Sequence, residues 1–278
     1  MTSKPPLSVI IPWCDRPELE TTLQANSSGF SAFGCEVLVI SCGGDSTSLA
    51  QLLKRLDLPS LAGYEVTRDE AEAETFNKSL ALNLGAAAAR SHQLFLLDAD
   101  IVLGEAFLEQ ASQALTEGSF VTVDRVEESQ KARTPGDSQL LEIVHSMEFE
   151  TVGGQRAKVE TNRLRFSDGS RSAPGLVLLR REDFIAVGGM SSRLEGWGWE
   201  DLDLLVRLQL QLSLAWKRVG SVVHLSHGDE ARSFHQDGKA ANQRQNLSAC
   251  LEQYHQGCFL GTYEEDTAAL SSSLHRLI

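Results

Sequence analysis

Two acidic residues and two histidines in this chain have the spacing of metal ligands. Asp98 and Asp100 are separated by one residue at the end of FLLDAD, and His224 and His227 are three residues apart in HLSH. Alternate residues of an extended segment face the same way, so both carboxylates can address one cation, although each motif alone also fits ordinary turn chemistry. A carboxylate from Asp100 and an imidazole from His227 suit Mn²⁺ or Mg²⁺. We predict a cation site that would stabilise a departing diphosphate.

A second group of acidic residues follows two tryptophans in GGMSSRLEGWGWEDLD, residues 188–203. Glu200 and Asp201 begin a predicted helix, because Leu202 and Leu205 recur on one helical face. The helix macrodipole alone also favours negative charge at this end. Beside large aromatic surfaces, however, a carboxylate that is separate from the metal site is suited to remove the proton of a hydroxyl group. We predict that role for Asp201.

The elements that must position these groups follow a βαβ pattern. The apolar run LSVII at residues 7–11 ends at Pro12, the apolar run CEVLVIS at residues 35–41 ends before Cys42, and a helical segment follows each. This alternation predicts a parallel sheet with right-handed crossovers. Ligands of such sheets bind beyond the carboxyl ends of the strands, so the loops that begin at Pro12 and Cys42 should face the same crevice.

Other segments have weaker patterns. We predict a helix over residues 70–90, which carries Phe76 and Lys78, and another around residues 240–254. Residues 125–172 are rich in charge, glycine and serine, which predicts an insertion over the sheet. Within it, residues 138–150 are the candidate helix, and we interpret the histidine of that segment as a partly packed helix residue rather than a ligand.

Length and composition predict one globular domain. The chain has 278 residues, 42% of them hydrophobic, and its apolar runs are far shorter than the ~20 residues of a membrane helix. A formal charge of −13 argues against a nucleic-acid or anionic-membrane partner. The five cysteines form no CxxC pair, and the N-terminus lacks the pattern of a signal peptide. We therefore expect free thiols, no membrane span and a cytoplasmic location.

Six motifs, in this order, resemble those of the GT-A glycosyltransferases: VIIPWCDRPEL, FNKSLALNLG, FLLDAD, the strand and helix leading to GG, WGWEDLD and HLSH. The chain particularly resembles the metal-dependent inverting group that includes β-1,4-galactosyltransferases and the galactosyltransferase-like parts of chondroitin-type polymerases, and it is also similar to family 2 glycosyltransferases. The resemblance implies an α/β fold, the GT-A fold, with a mostly parallel twisted sheet in a single Rossmann-like domain over residues 1–278. Residues 7–124 would bind the nucleotide sugar, residues 125–230 would form the acceptor and catalytic half, and residues 231–278 would be a C-terminal helical tail.

The resemblance also implies roles for residues at matching positions. The implied donor-binding residues are Pro12, Trp13, Arg16, Phe76, Lys78, Asp98, Ala99 and Trp197. The implied ligands of Mn²⁺ (or Mg²⁺) are Asp100, His227 and His224. Glu200 would bind sugar hydroxyl groups, and Asp201 would be the general base.

Two departures from the pattern of that family leave the substrate open. Many related enzymes end the second strand with an acidic residue that contacts uracil, where this chain has Cys42-Gly43-Gly44, and Asp45 is the candidate replacement. WGWED is shorter than the galactosyltransferase version and closer to the bacterial polymerases. Galactose, N-acetylgalactosamine and glucose therefore all remain candidate sugars, and a soluble bacterial enzyme is favoured.

The expected activity is inverting transfer from a UDP-sugar to a hydroxyl group of a glycan, a lipid-linked sugar, a peptide or a small molecule. Three alternatives stay open. A retaining enzyme of the same fold would need no base, and a non-catalytic nucleotide- or carbohydrate-binding protein would keep the fold without turnover. A zinc hydrolase built on His224 and His227 is disfavoured, because no glutamate lies between them in an HExxH arrangement.

Overall fold

The computed structural model describes residues 4–58, 60–68, 76–130, 140–228 and 238–278. Within these residues the strands are β1 (Ser8–Trp13), β2 (Glu36–Ser41), β3 (Leu61–Val66), β4 (Gln93–Leu96), β5 (Ile101–Leu103), β6 (Ser119–Glu128), β7 (Glu142–Glu150), β8 (Arg156–Arg165), β9 (Arg171–Arg180), β10 (Ala215–His224) and β11 (Leu274–Arg276). The helices there are α1 (Glu18–Phe33), α2 (Ser46–Arg55), α3 (Lys78–Ala88), α4 (Phe107–Ala114), α5 (Arg181–Ala186), α6 (Glu200–Leu212), α7 (Lys239–His255), α8 (Tyr263–Thr267) and α9 (Leu270–Ser273). The sheet has the order β11-β3-β2-β1-β4-β9-β6-β10-β5, and β7 and β8 extend it beside β9.

The part of the sheet with order β3-β2-β1-β4 is parallel, as the βαβ pattern predicts. Every residue of β1 and β2 is buried, which suits strands whose two faces are both covered by helices. Ile10 packs in the core with α3 and α6, whereas Val9 and Ile11 pack in the core with α1, α2 and α4. Because β1, β2 and β4 run in the same direction, the loops that follow them lie at one edge of the sheet.

The remainder of the sheet is built around antiparallel pairs. Strand β9 pairs antiparallel with β4 and β6, while β10 pairs parallel with β6 and antiparallel with the short β5. In the last pair His224 lies opposite Ile101, so the end of β10 is held next to the turn that contains Asp100. The predicted α/β architecture is confirmed, with a sheet that is parallel from β3 to β4 and antiparallel or mixed elsewhere.

The predicted helix over residues 138–150 is wrong. Glu142–Glu150 forms β7 and pairs antiparallel with β8, while the first two residues of the predicted segment lie outside the described part of the chain. Apolar residues alternate here with a period of two, and Met147 and Phe149 pack against the core from one face. His145 is therefore an exposed strand residue, not a packed helix residue.

The helix predicted over residues 70–90 begins at Lys78 in the structure, and residues 70–75 lie outside the described ranges. Its first turn is capped by Asn77, whose Oδ1 accepts a hydrogen bond of 2.9 Å from the N–H of Leu80. The helix predicted near residues 240–254 is confirmed as α7, whereas the antiparallel pairing of β11 with β3 was not predicted. Among the helices of the described residues, none combines the length and apolar composition needed to cross a bilayer.

Candidate active site

A cavity of about 880 Å³ lies at the carboxyl edge of the parallel strands. The turn after β4, the start of α6 and the end of β10 all contribute to its wall, and the β7–β8 hairpin contributes His145, Thr161 and Asn162. Twelve of the fourteen predicted site residues line it: Pro12, Arg16, Phe76, Lys78, Asp98, Ala99, Asp100, Trp197, Glu200, Asp201, His224 and His227. Three segments that are distant in sequence therefore meet in one cavity.

Two predicted donor-binding residues, Trp13 and Asp45, lie outside this lining. The Trp13 side chain is buried in the core at the end of β1, and its Nε1–H donates to the carbonyl of Arg16 over 3.0 Å. Asp45 is the N-cap of α2, and its carboxylate accepts hydrogen bonds from the N–H groups of Thr47 and Ser48. Aspartate is a favoured N-cap, so a local structural role accounts for Asp45. Both residues shape the loops beside the cavity.

One end of the cavity holds a cluster suited to a divalent cation, formed by Asp100, His224 and His227, whose candidate ligand atoms lie within 4.8 Å of one another. Nε2 of His227 is 3.2 Å and Nε2 of His224 is 3.5 Å from Oδ2 of Asp100. His227 donates its Nδ1–H to the carbonyl of Gly228, which directs Nε2 toward the aspartate. The N–H of Leu225 donates to the carbonyl of Asp100 over 2.8 Å and ties the two segments together. A carboxylate and two imidazoles fit a first-row divalent cation.

The charges around Asp100 keep it anionic. Burial opposes its ionisation, but hydrogen bonding and charge from His224, together with Arg16 and His227, outweigh burial and lower the pKa of Asp100 to about 2. Arg16 approaches Oδ2 of Asp100 at 2.6 Å. Burial lowers the pKa of His224, but Asp100 and Glu128 outweigh that effect, so the net shift of the His224 pKa is upward. The carboxylate is thus available as an anionic ligand at ordinary pH.

A second cluster in the same cavity, here called its base end, holds three carboxyl groups around one lysine. Nζ of Lys78 lies 2.9 Å from Oδ1 of Asp98 and 3.1 Å from Oδ1 of Asp201. Burial disfavours the Lys78 ammonium, but Asp201, Asp98 and Glu200 outweigh burial and raise the pKa of Lys78 well above its usual value. Burial, reinforced by Asp201, raises the pKa of Glu200 to about 7. Burial likewise raises the pKa of Asp98, although Lys78 opposes that shift.

The loop that carries Trp197 into the cavity has an unusual backbone. Gly198 and Trp199 have φ values of 100° and 80°, a left-handed conformation that the tryptophan holds while its side chain is buried. Two asparagines of α7 stabilise the loop: Oδ1 of Asn242 accepts from the N–H of Trp197 over 2.7 Å, and Nδ2 of Asn246 donates to the carbonyl of Gly198 over 2.8 Å. Sequence reasoning missed both asparagines, because they lie among the many polar residues of α7 and their contacts are long-range.

The third acidic residue of WGWEDLD, Asp203, points away from the cavity. Its Oδ2 accepts from Nε of Arg207 over 2.8 Å, and its Oδ1 accepts from the hydroxyl of Tyr254 over 2.6 Å. The guanidinium of Arg207 also donates to the carbonyls of Val187 and Gly189. Asp203 and Arg207 are both almost fully buried and join α6 to α7 and to the glycine turn after α5. Their spacing of four residues on a helix was the available signal for this structural pair.

Comparisons with known proteins agree with this architecture. Residues 156–228 match a family described as the N-terminal domain of galactosyltransferase. A comparison with curated protein sequences found no significant match. The matched segment contains β8, β9, α6 and β10, and so it includes both WGWEDLD and HLSH.

Several solved glycosyltransferase structures share the fold at low sequence identity. The mannosyltransferase PcManGT from Pyrobaculum calidifontis, in complex with GDP-Man and Mn²⁺, is 15% identical over 97% of this chain and 70% of its own, with a TM-score of 0.55. S. aureus TarS 1–349 in complex with UDP-GlcNAc is 11% identical over 90% and 72%, with a TM-score of 0.51. Glucosyl-3-phosphoglycerate synthase from Mycobacterium tuberculosis, in complex with Mn²⁺, UDP-Glc and phosphoglyceric acid, is 15% identical over 89% and 79%, with a TM-score of 0.50.

The chain spans only part of some of these proteins, covering 58% of another TarS 1–349 structure and 43% of a longer TarS chain. The shared architecture shows that this chain has the fold of the GT-A glycosyltransferases, as the motifs predicted. By its fold and by the galactosyltransferase family match, this chain is similar to GT-A glycosyltransferases.

Proposed function

We propose that the chain is a metal-dependent inverting glycosyltransferase that moves a galactose-, N-acetylgalactosamine- or glucose-type sugar from a UDP-sugar to an acceptor hydroxyl group. One observation carries the proposal: a single cavity contains the cluster of Asp100, His224 and His227 and also a separate carboxylate, Asp201. Metal-dependent inverting transfer from a nucleotide-diphosphate sugar uses both parts, because a cation stabilises the departing diphosphate and a base takes the proton of the acceptor.

Asp100, His224 and His227 are the proposed ligands of Mn²⁺ or Mg²⁺. When bound there, the cation would neutralise negative charge on the leaving diphosphate. Two structures of the same fold support this assignment, since one is in complex with GDP-Man and Mn²⁺ and the other with UDP-Glc and Mn²⁺. The low pKa of Asp100 also supports it, because an ionised carboxylate is the form that binds a cation.

Donor binding is assigned to the half formed by residues 7–124. The cavity lies beyond the carboxyl ends of β1 and β4, which is where ligands bind in open α/β sheets. Arg16 and Lys78 bring positive charge to the two clusters of the cavity, close to Asp100 and Asp98 respectively. Phe76 lies in the cavity wall and offers an aromatic surface to the donor.

Asp201 is the proposed general base. The proton of the acceptor hydroxyl passes to a carboxylate oxygen of Asp201, and the hydroxyl oxygen forms a bond to the anomeric carbon of the sugar. The bond from that carbon to the diphosphate breaks, and its electron pair leaves with UDP. Lys78 contacts both oxygens of Asp201 at 3.1 and 3.2 Å and so orients the carboxylate. Glu200, which begins α6 beside Asp201, is assigned to sugar hydroxyl groups.

Acceptor binding is assigned to the half formed by residues 125–230, because the β7–β8 hairpin supplies the cavity wall away from the donor strands. The acceptor class is a glycan, a lipid-linked sugar, a peptide or a small molecule. We further propose a cytoplasmic bacterial enzyme that acts without nucleic acid. All five cysteines are free, which fits a reducing compartment.

Asp201→Asn tests the base assignment. We expect the variant to bind Mn²⁺ and UDP as the parent does, while the rate of sugar transfer falls by about 10²–10⁴-fold, because positioning survives when the proton acceptor is lost. Release of UDP from UDP-Gal, UDP-GalNAc and UDP-Glc, with water as the acceptor, measures turnover before the natural acceptor is identified. Transfer at nearly the parental rate would remove the proposed role.

A double variant, Asp100→Ala with His227→Ala, tests the cation site. Calorimetric titration with UDP should show Mn²⁺-dependent binding for the parent and none for the variant, and unchanged titrations would refute the metal assignment. A thermal-shift panel of nucleotide sugars with Mn²⁺ identifies the donor, since a ligand that binds the folded state raises Tm. NMR of the anomeric linkage in the product then separates inversion from retention.

A further inference from the structure

Glu128 is a charged residue that sequence analysis did not select, and it lies directly behind one of the candidate metal ligands. It is the last residue of β6, and the parallel register of β6 and β10 places it opposite His224. Oε2 of Glu128 is 2.7 Å from Nδ1 of His224, the imidazole nitrogen that faces away from Asp100. The imidazole therefore lies between two carboxylates, one on each ring nitrogen.

The Glu128 carboxylate is itself held from two directions. Nε of Arg171, the first residue of β9, donates to Oε1 over 2.8 Å, and the hydroxyl of Ser226 donates to Oε2 over 2.9 Å. Both contacts place a hydrogen-bond donor on the carboxylate and so fix its position and favour its ionised form. Strands β6, β9 and β10 thus converge on one carboxylate whose position is defined by three neighbours.

The two imidazoles of the cluster differ in what their second nitrogen contacts. In His227 that nitrogen donates to a backbone carbonyl, that of Gly228, over 2.8 Å. In His224 it faces the charged carboxylate of Glu128. A hydrogen-bond acceptor at the second nitrogen fixes the tautomer and the ring orientation of a metal-binding histidine, and an anionic acceptor also raises its basicity. The His224 ring is the one that depends on a side chain from another strand.

We propose that Glu128 is a positioning residue of the cation site: it holds the proton on Nδ1 of His224 and thereby presents Nε2 of that ring to the cation beside Asp100. This inference rests on the proposed function, because it requires that Asp100, His224 and His227 bind a divalent cation. The competing hypothesis is that Glu128 only pairs with Arg171 and holds β9 against β6. The two readings predict different metal affinities.

The test is Mn²⁺ binding to the full chain, measured by calorimetry and by the electron paramagnetic resonance signal of free Mn²⁺, with no nucleotide present. Glu128→Gln should weaken Mn²⁺ binding by about 10–100-fold, the usual effect of losing such a partner. Glu127→Gln is the matched control: it removes the same charge from the adjacent position of β6, where the side chain points to the opposite face of the sheet. The control should bind Mn²⁺ like the parent.

A second pair of variants shows whether Glu128 acts through His224. In a His224→Ala background, the further change Glu128→Gln should leave Mn²⁺ affinity unchanged, because the ring that Glu128 orients is absent. Glu128→Asp keeps the charge but is one methylene shorter, so it should also weaken binding. Thermal unfolding of each variant checks that the fold is intact, and Glu128→Asp serves as the test if Glu128→Gln does not fold.

The outcomes separate this inference from the proposed function. If the parent binds no Mn²⁺, both fail. If the parent binds Mn²⁺ and Glu128→Gln or Glu128→Asp binds it equally well, only the inference on Glu128 fails. An equal loss of affinity from Glu128→Gln with and without His224 would also overturn it, because the effect would then be a general loss of negative charge.

Discussion

The two clusters in the cavity, its cation end and its base end, shift the pKa of an aspartate in opposite directions. At the cation end, Asp100 is surrounded by Arg16 and two imidazoles, and its pKa is lowered to about 2. At the base end, the ammonium group of Lys78 is the cation that interacts with three carboxyl groups, those of Asp98, Glu200 and Asp201. Burial outweighs Lys78 and raises the pKa of Asp98, although only one residue separates it from Asp100. The pKa values of two neighbouring aspartates in one short motif are thus shifted in opposite directions, because their side chains have different surroundings.

This difference matches the chemistry proposed for each end. A cation site benefits from an anionic carboxylate, because that form binds the cation. At the base end, burial, reinforced by an excess of negative charge from Asp201 and offset in part by Lys78, raises the pKa of Glu200 to about 7. A third carboxylate on the same helix, Asp203, would add to that excess if Arg207 did not bind it on the other side of α6.

The largest expected effect comes from breaking that separate pair. Arg207→Met leaves Asp203 buried without its charged partner and also removes donors from two backbone carbonyls. Loss of one member of a buried pair costs about 3–5 kcal/mol in the free energy of unfolding. In a chain of this size we expect Tm to fall by roughly 10 °C. Calorimetry or circular dichroism measures the shift.

Arg193→Met is the matched control for that prediction. Arg193 pairs with Glu265 at 2.6 Å, but both side chains are more than half exposed. Exposed pairs contribute about 0–1 kcal/mol, so Tm should change by only a few degrees. Equal destabilisation by the two substitutions would show that Asp203 does not depend on the buried pair.

The next effect is on the pH dependence of stability and concerns Glu200. The pKa of Glu200 is about 7 in the folded protein against 4.5 for the ordinary group. Between these values the folded state keeps a proton that the unfolded state has lost, so the free energy of unfolding falls as pH rises from 4.5 to 7. The total change is up to about 3 kcal/mol and levels off above pH 7. Below pH 4.5 this contribution is fully present.

Glu200→Gln removes that titration. Urea unfolding at pH 5 and pH 8 should show that the variant gains stability relative to the parent as pH rises, because the parent alone must ionise a buried carboxyl group. Glu264→Gln, at an exposed position in α8, should leave the pH dependence unchanged. If the parent and Glu200→Gln have parallel pH profiles of stability, the pKa of Glu200 is not raised in the folded protein.

The sequence predicted the parallel part of the sheet because that part depends on local patterns. Apolar runs that end at loops identify parallel strands, and Asp98, Asp100, Glu200 and His227 all follow or begin such elements. The parallel pattern places Asp98 and Asp100 at the ligand-binding edge, whereas the resemblance to the GT-A glycosyltransferases implied that Glu200 and His227 join them.

The missed features depend on pairings between distant segments. Glu128 contacts His224 only because β6 and β10 pair in this register. Asn242 contacts Trp197 only because α7 packs on the loop that carries this tryptophan. The helix prediction for β7 is wrong because charged residues make the alternation of apolar residues weak in the sequence. Pairing with β8 is what makes this segment a strand. Sequence adjacency does not show which side of α6 faces the cavity. It therefore does not separate Asp203, which bonds to Arg207, from Glu200, which lines the cavity.

The smallest effect expected, Gly175→Ala, tests whether the base end depends on close packing. A Cβ at Gly175, in β9, would lie 2.6 Å from Cγ of Asp201, so the carboxylate must shift. A misplacement of about 1 Å reduces turnover by about 10²-fold. Mn²⁺ affinity should be unchanged, because the three atoms nearest to the added Cβ all belong to Asp201. Gly29→Ala is the control, since nothing lies within 4 Å of its Cβ in α1. Turnover that falls equally in both variants, or Mn²⁺ affinity that falls with it in Gly175→Ala, would show that the two ends do not act separately.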